Sequence, residues 1–202
     1  MHAGSATLSQ NHGPSARFEG LRIAPRDHLV ALYEGETERH RLIYSFVSDG
    51  LDRDHRSLCL ASHGDIAHLL ATLRRRGVDD GLLEVERLDD GRAPHILFDV
   101  AALTGTLHDW SARAFQEYEC LSARAIVDLS WAASCQPSAK VGDLTRFGRA
   151  MADWARIHPQ VGVSMYDLTA FGGGLVPAMV STHARVWIRG TTVQNPYAAA
   201  RS

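Results

Sequence analysis

His28-Leu29-Val30-Ala31-Leu32-Tyr33-Glu34-Gly35-Glu36-Thr37-Glu38 is the stretch that decides how this chain is read. Residues 28–33 form an apolar run of strand length. The following residues, 37–50, carry Leu42, Ile43, Phe46 and Val47 at helical spacing. A strand that feeds a helix through a tight turn is the place where a phosphate-gripping loop sits in nucleotide-binding α/β proteins. Such a loop needs glycines for close backbone approach and a lysine for the terminal phosphates. Here the turn offers one glycine, no lysine and the carboxylates of Glu34, Glu36 and Glu38, which repel a polyphosphate. The reading is a nucleotide-type scaffold without its nucleotide machinery, built for ligand sensing rather than turnover and without ATPase activity.

Outward from this stretch, strand-like and helix-like segments alternate, the pattern of parallel βαβ units. Gly50 is expected as a left-handed cap ending the first helix. Residues 55–61 read as a second strand, followed by a helix that Ser62 or Asp65 caps and that buries Ile66, Leu69, Leu70 and Leu73. Arg74, Arg75 and Arg76 close it as a solvated end that complements the helix dipole. Residues 82–88 read as a short strand and Asp89-Asp90-Gly91 as a turn. The segment 95–102 fits either a strand or the start of a helix running on through Leu107, Trp110, Phe115 and Tyr118. Strands are expected at 125–129 and 161–166, and helices at 142–157 and 174–182. A closing strand pair is expected at 185–189 and 191–194. The expected fold class is therefore α/β, with a mostly parallel central sheet flanked by helices.

The chain has 202 residues, 45% of them hydrophobic, enough for one well-buried domain, placed at 21–202 behind a mobile tail over 1–20. Net charge is -2 with both signs interspersed, so no basic stripe speaks for nucleic acid. No apolar run reaches the roughly 20 residues of a membrane span. Cys59, Cys120 and Cys135 are odd in number and lack metal-type spacing, which reads as reduced thiols in a cytoplasmic setting. His55, His63 and His68 with Cys59 also lack a chelating pattern, so neither metal nor cofactor is expected. Ser164 lies inside a strand and not on a nucleophile elbow, which disfavours a hydrolase.

Parallel sheets place ligands at the carboxyl ends of their strands. Asp128 and Asp167 both fall there, as do Tyr33, Trp131 and Tyr166, whose apolar rings suit a small, weakly polar molecule. Either aspartate serves equally well as a cap for the helix that follows.

Taken together, the strand 28–33 with its acidic turn, the run Arg124-Ala125-Ile126-Val127-Asp128-Leu129-Ser130-Trp131-Ala132, the strand end Met165-Tyr166-Asp167, His183 and Asn195-Pro196-Tyr197 resemble the MEDS domain, the methanogen and methylotroph sensory domain. The resemblance spans roughly 27–197. It implies a RecA- or KaiC-like sheet that has lost its phosphate loop and a role in sensing small hydrocarbon derivatives or related metabolites. It also implies a ligand-binding set of His28, Tyr33, Glu34, Arg124, Asp128, Trp131, Tyr166, Asp167 and His183 for an unknown small organic molecule. Relatives often carry Tyr-Glu where this chain has Phe147-Gly148, and Cys where it has Ser164. Expected partners are a signalling or transcription-regulating protein, such as a histidine kinase or a sigma-factor regulator, with a homodimer as a further option. The alternatives are an enzyme that uses Asp128 or Asp167 as acid or base, and a scaffold that binds only protein.

Overall fold

The strand read at 28–33 runs from Asp27 to Tyr33 inside a seven-stranded sheet. The computed structural model describes residues 15–88, 98–135 and 139–196. Its strands are β1 (Ala16–Phe18), β2 (Leu21–Ile23), β3 (Asp27–Tyr33), β4 (Arg56–Ala61), β5 (Leu83–Arg87), β6 (Ala123–Asp128), β7 (Gln160–Asp167), β8 (Arg185–Ile188) and β9 (Thr191–Gln194). The helices are α1 (Gly35–Leu51), α2 (His63–Arg75), α3 (Val100–Ala112), α4 (Val141–Ile157), α5 (Leu168–Phe171) and α6 (Leu175–Thr182). A π-helical turn at Arg113–Glu117 extends α3, and a 3-10 helix at Ser130–Ser134 follows β6.

The sheet order is β5-β4-β6-β7-β3-β8-β9, parallel throughout except for the closing β8–β9 pair. This is the expected α/β class, of the Rossmann or RecA-like kind. Side chains alternate between its two faces, as the strand period of two requires. Leu29, Ala31, Tyr33, Ile126, Val163 and Met165 face α1 and α2, where they meet Phe46, Val47, Ile66 and Leu69. Val30, Leu32, Val127 and Tyr166 face α3, α4 and α6, where they meet Trp110, Phe147, Trp154 and Met179. Both layers exclude water, at roughly 25 cal/mol for each Å² of apolar surface removed.

Register brings the strand ends to within two residues of one another. Tyr33 lies beside Asp167, and Asp128 beside Met165, so the three polar strand-end residues share one edge of the sheet. Connections leave the ends of β3 and β4 toward one face and the end of β6 toward the other. In open α/β sheets ligands bind where the connections reverse in this way.

Two details depart from expectation, and a third settles an open choice. Residues 15–20, assigned to a tail, include β1, which pairs with β2 and buries Ala16 and Phe18; Phe18 packs edge-on against Trp187 and Phe46. The rest of that tail lies outside the described residues, as do the turn 89–91, positions 95–97 of the ambiguous segment, and Tyr197. Gly50 is not a left-handed cap. It sits buried inside α1, which runs on to Leu51, because a Cβ at 50 would lie 2.6 Å from Ser57 Oγ and 2.7 Å from Arg124 Cδ. The described part of the segment 95–102 resolves in favour of helix: Asp99 caps α3 by accepting from the amides of Ala101 and Ala102.

Candidate functional site

At the carboxyl edge, Asp128 is buried at the end of β6 and caps no helix. Its Oδ1 accepts from the Tyr33 hydroxyl at 2.6 Å, and its Oδ2 accepts from Ser130 Oγ at 2.5 Å. Ser130 in turn receives Arg39 Nη1 at 3.2 Å. Arg39 Nε lies 2.8 Å from Asp65 Oδ1, which also meets His40 Nε2 at 2.9 Å; Asp65 Oδ2 accepts from Ser62 Oγ at 2.5 Å. His40 stacks on His68 with ring centroids 3.9 Å apart. One polar chain thus runs from the interior to the surface through β3, β6, α1 and α2. Burial pushes the Asp128 carboxyl up to about 6, against the pull of its two hydroxyl donors. Burial and the adjacent Asp128 likewise push the Tyr33 phenol upward. At neutral pH the site holds a carboxylate that gains a proton readily and a phenol that keeps its own.

Asp167 plays a different part. Its Oδ1 accepts from the Thr169 amide at 2.8 Å and hydroxyl at 2.7 Å, which makes it the cap of α5, and from the Gly35 amide at 3.3 Å. The Glu34 amide donates to Glu38 Oε2 at 2.9 Å, and the Glu34 carboxylate pairs with Arg189. Amides at the head of α1, where a phosphate would seat, are therefore answered by the chain's own carboxylates. Gly35 has φ +78, a left-handed value that favours glycine at this turn.

The remaining nominated residues do not join the Tyr33–Asp128–Ser130 cluster. Arg124 is fully buried near the opposite end of β6. It donates through Nη1 to Phe46 O at 3.0 Å and Asp49 Oδ2 at 2.9 Å, and its Nη2 lies 2.7 Å from His55 Nδ1. Burial, then the Arg124 charge, lowers His55 to about 4, so the imidazole stays neutral and accepts. Arg124 is thus a clamp that ties α1 to β4 and β6. His28 also sits toward the amino ends, on the α4 face, with Nε2 2.9 Å from Ser164 Oγ and its ring 5.9 Å from that of His183. Tyr166 faces α4 and donates to Leu144 O at 3.1 Å. Trp131 lies in the 3-10 helix against Phe98, ring centroids 5.9 Å apart, within the cluster of the α3 and α4 face.

Residues 27–184, more than three quarters of the chain, match the family described as MEDS: MEthanogen/methylotroph, DcmR Sensory domain. The chain belongs to the MEDS family. No curated protein matches it. The matched span of this MEDS domain begins with β3 and ends just after His183, so it contains both the Asp128 edge and the His28–His183 contact, while the hairpin β1–β2 and strands β8 and β9 lie outside it.

Sequence reasoning missed Ser130, Arg39, Asp65 and Gly148 as members of these clusters. Two of them left a trace in the MEDS sequence. Asp65 is a carboxylate on the apolar stripe of α2 beside Ile66 and Leu69, and Gly148 interrupts the buried stripe of α4 between Phe147 and Met151. Buried polar groups and glycines on an apolar face need a partner or a close approach to justify them. Arg39 and Ser130 left no such signal, because neither interrupts a buried apolar stripe of a helix and each is only partly buried. Among the described residues no group of three or more histidine, cysteine, aspartate or glutamate side chains is placed to hold a metal ion. Among them too, no helix is long and apolar enough to cross a membrane.

Proposed function

We propose that this sensory domain binds a small organic molecule at the carboxyl edge of the sheet, beside Tyr33, Asp128, Ser130 and Arg39. Occupancy is passed to a partner protein of the signalling or transcription-regulating kind. The observation that carries the reading is the head of α1, where Asp167 and Glu38 accept from the amides of Gly35 and Glu34. A charged triphosphate brought there meets Glu34, Glu36 and Glu38 with no lysine to offset them. What remains is a pair of hydroxyls, a readily protonated carboxyl and one guanidinium. That set recognises a neutral molecule carrying both a donor and an acceptor. A ligand acts as a signal only through its different affinity for two conformations, and the Ser130–Arg39–Asp65 chain gives α1 and α2 a direct stake in the state of Asp128.

The test combines native mass spectrometry of protein from its own host with thermal shift against a metabolite panel. At one hundred times the dissociation constant a ligand stabilises by about 2.7 kcal/mol. No bound species and no shift across the panel would overturn the reading. Calorimetry with ATP and magnesium is expected to give heat of dilution only.

The elevated Asp128 carboxyl favours one second reading, an enzyme that moves a proton at this position. It predicts turnover of a bound metabolite that Asp128→Asn abolishes while binding persists. The sensor reading predicts binding without turnover.

A further inference from the structure

On the opposite face and toward the other end of the sheet, His28, Ser164 and His183 form a second buried polar cluster that the carboxyl edge does not use. His183 ends α6 and leads into β8. Its Nδ1 lies 3.2 Å from Met179 O and 2.9 Å from Thr182 Oγ1. A carbonyl only accepts, and the Thr182 hydroxyl reaches Ala178 O at 2.6 Å, so both oxygens take the Nδ1 hydrogen. Nε2 is therefore a bare lone pair. It is buried, has no hydrogen-bond partner among the described residues, and points at Gly148 of α4 so closely that a Cβ there would lie 2.2 Å from it.

We propose that proton uptake by His183 releases the α6–β8 joint from α4, making the segment 175–188 an acid-operated latch. A proton on His183 Nε2 would face the Gly148 backbone with no acceptor within reach. Buried N–H groups without an acceptor cost about 1–3 kcal/mol, and a buried charge costs more. The groups around His28 and His183 offer no relief. Arg149 and Arg156 of α4 are the charges that bear on them, and both are cationic. Ser164 from β7 is neutral, and Asp27 beside His28 is engaged with Arg185 and with the His28 amide. Both imidazoles are accordingly held neutral by burial, His183 at about 4 and His28 well below its ordinary value.

Swinging this joint outward hydrates the charge, at the cost of the β8 pairing with β3 and β9 and of the buried Leu175 and Met179. The ties of His183 itself are local, to Met179 and Thr182, and it fills the notch that Gly148 leaves. His28, by contrast, is fixed in β3 between β7 and β8. The weaker side of the contact is the one that opens.

Hydrogen–deuterium exchange at pH 7 and pH 5, corrected for intrinsic rates, reads this directly. With an ordinary value of 6.5 and a folded value of about 4, His183 alone raises the open fraction of 175–188 about twentyfold over that interval. Peptides from β6 and β4 should keep their protection. His183→Asn should abolish the pH dependence of 175–188. The idea falls if opening is uniform across the sheet, if it is unchanged by pH, or if His183→Asn retains the dependence. Should that variant not fold, the His183 titration by NMR in the wild-type chain decides instead: a value near 4 supports the latch, and one above 6 overturns it.

Discussion

Tyr33 donates its hydroxyl to Asp128 Oδ1 at 2.6 Å across an intervening strand, since β7 separates β3 from β6. The bond is possible because both side chains face α1 and α2 and the two strands end within two residues of each other along β7. It ties the acidic turn after β3 to a buried carboxylate at the sheet's edge that caps no helix.

Replacing Tyr33 by Phe removes one of two donors to a buried carboxylate while keeping the ring's packing. A hydrogen bond to a charged group is worth about 1.5–3 kcal/mol, and losing it leaves Oδ1 unanswered. Urea denaturation at pH 7.5 should show a loss of that size, and the carboxyl carbon of Asp128 should titrate above its wild-type position near 6. An unchanged titration would mean that the bond does not hold in solution.

Asp128 also sets a pH dependence with a definite sign. Its folded value of about 6 lies above the ordinary 3.8, so the fold prefers the protonated form. The stability this contributes is complete below pH 3.8 and is lost as pH rises through 6, about 3 kcal/mol in all. Asp128→Asn resembles the neutral acid. The variant is expected to gain about 1–3 kcal/mol at pH 8, with a flatter profile between pH 4 and 7. A variant less stable than wild type at pH 8 would contradict this, and loss of ligand response alongside the gain would follow the usual trade between stability and function.

Gly50 poses a contest between helix propensity and space. Alanine in its place would favour α1 by about 1 kcal/mol. The added methyl, however, meets Ser57 Oγ at 2.6 Å and Arg124 at 2.7 Å, and Arg124 is held by Phe46, Asp49 and His55 and has little room to yield. Overpacking of this kind costs about 1–3 kcal/mol, so Gly50→Ala should lower stability. Thermal denaturation is the readout, and a rise in Tm would show that Arg124 gives way.

Phe18 joins the N-terminal hairpin to the domain by edge-on contacts with Trp187 at 5.6 Å and Phe46 at 6.2 Å. Truncation to alanine removes a fully buried ring from the α1 face and should cost about 3–5 kcal/mol. A cost below 1 kcal/mol, measured by chemical denaturation, would mark the hairpin as an appendage.

The sheet was legible because its strands are near-continuous apolar runs, such as Leu29 to Tyr33, Ala125 to Leu129 and Val161 to Tyr166, each bounded by turn residues. β1 was not. Its three residues sit among small and polar neighbours, and only contact with Trp187, distant in sequence, shows why Phe18 is inside. The site was half visible for a similar reason. Strand ends point to Tyr33, Asp128 and Asp167, because parallel strands put them at one edge. They say nothing about which face a following loop turns to, and that choice carried Trp131 to the other side. Arg124 and His28 sit on the same strands as Asp128 and Tyr33, but near the opposite ends, where residues brace the sheet. Ser130 and Arg39 appear only once α1 is docked.

The carboxylates bound to the head of α1 also constrain what this domain could become. A single lysine added to the turn would be neutralised by Glu34, Glu36 and Glu38, and would leave the Gly35 and Glu34 amides engaged by Asp167 and Glu38. Building a phosphate grip here would take several coordinated replacements, one of them at the residue that caps α5.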